Sequence, residues 1–215
     1  HMPIENNFSY YTIKDFKECC DIKECALSRK AFTAVHCNIR SLAANHDNLC
    51  HLLNEMNLPF SIIALSETKI LKNNTSITNT SLEGYEFIHE PSLSNAGGVG
   101  FYIRNDLKYS IRKEFSLSNN DLEMLWIEIF AIGQPNIICG VVYRHPNNNV
   151  NNFINILEST LENIQYENKL CLFMGDVNID LMKIETHAES ENFINMLSSY
   201  FFQPQILQPT RITHH

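Results

Sequence analysis

Glycine and proline are scarce in this chain, with seven of each in 215 residues. Collagen-like and low-complexity polymers need far more of both, so those classes are excluded. Charged residues make up only 19%, and 16 Lys plus Arg face 24 Asp plus Glu, for a formal net charge of -8 and a pI near 5.6. Such a chain carries no polybasic arm and does not grip nucleic acid through bulk charge. No apolar stretch approaches the roughly 20 residues that span a bilayer, and no signal-peptide pattern opens the chain, so no membrane partner is expected. No paired Cys-x-x-Cys is present to clamp a structural zinc. The seven cysteines (Cys19, Cys20, Cys25, Cys37, Cys50, Cys139 and Cys171) are scattered and odd in number. They read as free thiols of an intracellular protein. What the chain does hold is apolar: 44% hydrophobic residues, including 13 Phe and 8 Tyr, which suits a packed core rather than a disordered segment. The length allows one domain or two small ones.

Residues 1–30 read as an N-terminal appendage, with His1-Met2 a cloning scar, and residues 31–215 as the domain proper. Within the appendage, Thr12 caps a short helix with Asp15 three residues on. Ala31–Cys37 and Ser61–Leu65 are apolar runs that read as buried strands, separated by a helix from Ser41 to about Met56. A block of strands follows: Tyr85–His89, Gly97–Ile103, Leu107–Ile111, Leu122–Phe130 and Ile137–Tyr143. A helix over Val150–Ile164, a strand over Lys169–Met174 and a helix over Ala188–Tyr200 complete the pattern. Helices early and late, with strands between, predict two packed sheets flanked by helices rather than a simple parallel repeat. The sequons at Asn73, Asn74 and Asn79 read as accidents of an Asn-rich stretch.

The chemistry lies at strand ends. Four apolar runs each finish on a polar residue: Asn38, Glu67, Tyr143, and Asp176 followed by Asn178. Strand ends on one edge of a sheet converge, so these groups can share a site. They offer oxygen and amide donors without a soft ligand, which favours a hard cation such as Mg²⁺ or Mn²⁺ over zinc. Singly, each residue also has an ordinary reading, Glu67 as a solvated loop acid and Tyr143 as a core-closing ring. Asp176-Val-Asn178-Ile-Asp180 is not a calcium loop, because Leu181 and His187 stand where that loop needs Gly and Glu. Gly97-Gly98 lacks the spacing and Lys of a P-loop and reads as a tight turn before a strand.

The order of the motifs carries more. His36-Cys-Asn38-Ile-Arg40-Ser41-Leu42, Ala64-Leu-Ser-Glu67-Thr68, Gly97–Arg104, Val142-Tyr143-Arg144-His-Pro146-Asn147, Gly175-Asp176-Val-Asn178 and Pro209-Thr-Arg-Ile212 follow in turn. This resembles the endonuclease domain of LINE-type (non-LTR) retrotransposon reverse transcriptases, most closely the CR1, L2 and jockey-type clades. Those domains belong to the endonuclease/exonuclease/phosphatase superfamily, alongside apurinic-site endonucleases. The resemblance implies a four-layer α/β/β/α sandwich of two packed mixed sheets. It implies a Mg²⁺-dependent (or Mn²⁺-dependent) DNA endonuclease that nicks target DNA to prime reverse transcription. Glu67 would hold the cation, with Asn38 binding or orienting it. Asp176 would activate the attacking water, Asn178 would position it, and Tyr143 would hydrogen-bond the scissile phosphate. Arg40, Arg144 and Arg211 would touch the DNA backbone. A fused reverse-transcriptase domain, cytoplasmic synthesis and nuclear action are also implied.

In that family the fold ends with further strands carrying an Asp and then a Ser-Asp-His motif, and residues 1–215 stop before it. The expectation is a domain lacking its C-terminal strands, weakly active or inactive on its own, with an open sheet edge that favours self-association. Two other readings stand beside this one. The first is an apurinic-site nuclease or phosphatase of the same fold. The second is a catalytically inactive DNA-binding or assembly module.

Overall fold

Strand β2 (Ile62–Ser66) is buried along its whole length, as a strand covered on both faces must be. It sits between β1 (Ala34–Asn38), which it pairs in parallel, and β4 (Val99–Arg104), which it pairs antiparallel; β3 (Tyr85–Glu90) closes the order β1-β2-β4-β3. A second sheet has the order β5-β7-β8-β9: β5 (Lys108–Ile111), β7 (Leu122–Phe130), β8 (Ile137–Arg144) and β9 (Leu170–Asp176). The two-residue strand β6 (Leu117–Ser118) pairs with β7 beside β5. Only β8 and β9 run parallel in this sheet. The computed structural model describes residues 12–22, 31–72, 79–131 and 133–206.

Period-two alternation divides the core into three apolar layers. Ile62, Ala64, Phe101 and Ile103 of the first sheet meet Leu125, Ile127, Ile129, Cys139 and Val141 of the second. The outer face of the first sheet (Ile63, Leu65, Tyr102) packs on Leu42 and Leu49 of α2 (Leu42–Met56). The outer face of the second (Met124, Trp126, Ile138, Val142) packs on α3 (Val150–Gln165) and α4 (Ala188–Ser199), through Phe153, Leu157, Leu161, Phe193 and Leu197. Two mixed sheets lie face to face with helices outside each, the α/β sandwich expected from the sequence. Helix α1 (Ile13–Ile22) opens on a reciprocal cap between Thr12 and Asp15 and lies on α2, where Phe16 joins the outer apolar layer. Strands β1 and β9 end the two sheet orders on one side.

The cysteines behave as small hydrophobes. Cys37, Cys50, Cys139 and Cys171 are free, and burial pushes the Cys171 thiol up to about 12. Cys25, Asn73, Asn74 and Arg211 lie outside the described residues, as do the side chains of Cys19 and Cys20. Among the described residues no helix is long and apolar enough to cross a membrane.

Candidate functional site

Parallel pairing of β1 with β2, and of β8 with β9, sends their C-terminal ends to the same side of each sheet. The alternation that puts Ala34 of β1 and Met174 of β9 between the sheets also turns Asn38 and Asp176 inward. The Asn38 Nδ2 amide donates to Glu67 Oε1 at 2.8 Å and to Asp176 Oδ2 at 2.7 Å, across 138 positions of sequence. Tyr143 is the register partner of Asp176 on the neighbouring strand. The backbone N–H of Asn178 donates to Asp176 Oδ1 at 3.1 Å, and Asn178 Nδ2 donates to the carbonyl of Arg144 at 2.7 Å. The five residues singled out from strand ends therefore stand together.

The backbone around them is unusual. Of eight described non-glycine residues with positive φ, five flank this site: Arg40, Ser41, Glu67, Lys69 and Asn178. Such conformations cost about 1–3 kcal/mol each and persist where the surroundings enforce them, often at functional sites. Gly175, with φ 152, is required for a different reason: a Cβ there would lie 1.8 Å from the Val142 carbonyl oxygen. Its missing side chain lets β9 press against β8 one residue before Asp176.

Charge at the site is one-sided. Glu67 and Asp176 share a single amide group, and among the described residues neither forms an ion pair with Lys or Arg. Burial pushes the Tyr143 phenol up to about 12, with the Glu67, Asp176 and Glu123 charges adding to the shift and a hydrogen bond from Asn178 opposing it. It stays protonated at neutral pH and can donate. Burial pulls the His36 imidazole down to about 4 against the Asp176 charge, so it is neutral where it meets Ser66 Oγ at 3.0 Å. Among the described residues no three of His, Cys, Asp and Glu form a ready-made metal cage. Two carboxylates with no ion-pair partner still fit a Mg²⁺-type ion, which binds through one or two carboxylates and keeps several waters, and the Asn38 amide, whose Nδ2 faces both, orients them.

The arginines divide. Arg40 is exposed at the rim, its N–H donating to Asn38 Oδ1 at 3.3 Å. Arg144 was expected to face DNA, but it is only 2% exposed. Its guanidinium donates to the carbonyls of Val177, His145, Asn148 and Asn178. A guanidinium committed to four carbonyls is not available to a phosphate in solvent; it clamps the turn that carries Asn178. Two side chains absent from the sequence-based site also stand here. Glu123 is fully buried on the strand beside Tyr143, and His145 lies edge-on to the Tyr143 ring. Their signal was a lone acid on an otherwise apolar strand face.

Residues 35–210 match the model of the Endonuclease/Exonuclease/phosphatase family. The chain belongs to this family. No curated protein matches it in sequence. Among solved structures it is similar to the endonuclease domain of TRAS1, a telomere-specific non-LTR retrotransposon, at 11% identity and TM-score 0.57, covering 80% of this chain and 76% of that one. It is also similar to the AP endonuclease LMAP from Leishmania major, at 14% identity and TM-score 0.57, covering 79% of this chain and 66% of that one. A third is the 3'-5' exonuclease NExo from Neisseria meningitidis, at 16% identity and TM-score 0.53, covering 78% of this chain and 70% of that one. At these identities the likeness is one of fold, and the residues of this chain must carry the chemistry.

Proposed function

We propose that the domain is a Mg²⁺- or Mn²⁺-dependent DNA endonuclease whose nick primes reverse transcription of a non-LTR retrotransposon, fused in its full-length form to a reverse transcriptase and acting in the nucleus after cytoplasmic synthesis. The observation that supports this most is the amide of Asn38 bridging Glu67 of one sheet to Asp176 of the other, with Tyr143 beside them. Hydrolysis of a phosphodiester needs charge relief on the phosphoryl oxygens and a water deprotonated in line with the leaving oxygen. A divalent cation held by Glu67 and Asn38 would supply the first. Asp176 is a carboxylate able to take the proton from the attacking water. Asn178, locked by its own backbone bond to Asp176 and by the Arg144 carbonyl, fixes where that water sits. The protonated Tyr143 phenol donates to a non-bridging oxygen. Arg40, exposed at the rim, meets the DNA backbone.

The test is nicking of supercoiled plasmid. Relaxed circles are expected with Mg²⁺ and none with excess chelator. Glu67→Ala and Asp176→Ala should each lower the rate by roughly 10²–10⁴-fold; undiminished nicking in both variants sinks the assignment. The fold is equally like the Leishmania AP endonuclease and the retrotransposon domain, so a repair-nuclease reading is the second one to test. Cleavage of an abasic duplex with intact plasmid left untouched would favour it.

A further inference from the structure

The face of β7 that looks between the sheets runs Glu123, Leu125, Ile127, Ile129. Three of these are core residues, and the first is a carboxylate with 0% exposure. Burying a carboxylate is unfavourable unless it is paired and hydrogen-bonded, so an apolar side chain would serve the fold better there. The partners of Glu123 are specific. Its Oε1 accepts from Ser92 Oγ at 2.7 Å and lies 3.0 Å from His145 Nε2. Its Oε2 is buried with no protein partner. Gly97, at φ 91, keeps the space open: a Cβ there would lie 2.7 Å from Glu123 Oε2 and 2.9 Å from His145 Cε1. One carboxylate thus ties the β3–β4 loop to the segment after β8.

His145 passes this grip on. Its ring stands edge-on to the Tyr143 ring, with centroids 5.1 Å apart and planes at 82°. Glu123 is the register partner of Tyr143 on one side, and Asp176 is its partner on the other. The phenol is therefore flanked by the reacting carboxylate on β9 and by a buried carboxylate–imidazole pair that touches no substrate-facing atom described above. We propose that Glu123 and His145 are positioning residues, the buried carboxylate holding the imidazole and the imidazole holding the Tyr143 phenol in line with the scissile phosphate. This rests on the reading of Tyr143 as a phosphate donor. Reaction rates fall steeply when a donor is misplaced by an ångström or less, and groups that orient a reacting side chain typically matter 10–100-fold.

A double-mutant cycle distinguishes positioning from simple packing. His145→Ala and Glu123→Gln should each lower kcat for nicking about 10–100-fold while KM for DNA stays within about twofold. In a Tyr143→Phe background the same changes should have no further effect, because the group they orient is gone. Losses that multiply in that background overturn the proposal. The second measurement uses no DNA and no metal. In a chain with ¹³C-labelled tyrosine, Glu123→Gln retains both ring-bearing residues but releases the imidazole, so it should shift the Tyr143 ring resonances and leave the other tyrosines unmoved. Tyr143 resonances identical to wild type overturn the proposal, and His145→Ala, nearer the surface, supplies the same comparison if the Glu123 variant does not fold. Undiminished nicking by both Glu67→Ala and Asp176→Ala refutes the nuclease reading by itself, while the orientation of Tyr143 stands or falls on the spectrum.

Discussion

At Gly175 a single missing methyl group decides where Asp176 stands. The Val142 carbonyl fills the place a Cβ would take, so Gly175→Ala must push β9 away from β8. Overpacking of this kind, added to an unfavourable φ, costs upwards of about 2 kcal/mol. Nicking should fall more than stability does, because Asp176 moves with the strand end; the check is a melting curve beside a rate measured well below the transition. A rate equal to wild type would mean that Asp176 tolerates the shift and is not held by this contact. Other single residues were readable in advance. Asn38, Glu67 and Asp176 each terminate an apolar run, and a polar residue there announces itself. Glu123 gives only a weak signal, because one acid near the start of a strand whose face otherwise reads Leu125, Ile127 and Ile129 is ordinarily solvated, and only the docking of the first sheet shows that this position is dry. Arg144 was misread for the converse reason. Arginine is exposed by default, and the carbonyls that bury this one come from turns whose course no local pattern specifies.

Among elements, α3 shows why most of the architecture was legible. Asn149 caps it by accepting from Asn152 N at 3.1 Å, and Phe153, Leu157, Leu161 and Ile164 recur on one buried stripe. Leu157 is fully buried against the second sheet. Leu157→Ala should destabilise the domain by about 2–5 kcal/mol, seen as a lower denaturation midpoint. A loss below about 1 kcal/mol would show that α3 is peripheral to the core. The strands were equally readable where they are long and apolar, as in β2, β7 and β8. Strand β6, two residues long, has no periodicity to read, and the pairing of Lys69 N with the Gly97 carbonyl joins two loops that sequence patterns treat separately.

Across the whole molecule, charge is concentrated in one network far along β7 from Glu123. Arg112 pairs with Glu114, Glu128 and Glu167, and Lys169 pairs with Glu128 and Glu167. The Arg112 guanidinium draws the Glu167 carboxyl down to about 2, below its ordinary 4.5. A folded-state value below the unfolded one contributes stability that is present above about pH 4.5 and is lost as the pH falls toward 2. Glu167→Gln should accordingly flatten the dependence of the denaturation midpoint on pH across that window while lowering stability at neutral pH. An unchanged acid slope would remove the network from the account of acid unfolding.

The first sheet is drawn entirely from residues 34–104 and the second from residues 108–176. The chain is thus two contiguous halves in series, and the Asn38 amide is a suture between them. Each half can complete its own hydrogen-bonded ladder without the other, whereas the cluster around Asn38 exists only when the halves are pressed together. Cleavage competence then reports on that apposition rather than on secondary structure. In a mild denaturant series, nicking should disappear before the far-ultraviolet circular dichroism changes; simultaneous loss would mean that sheets and seam form as one unit. Severing the backbone at Asn105, between the halves, should leave two inert pieces whose activity returns on mixing with second-order kinetics.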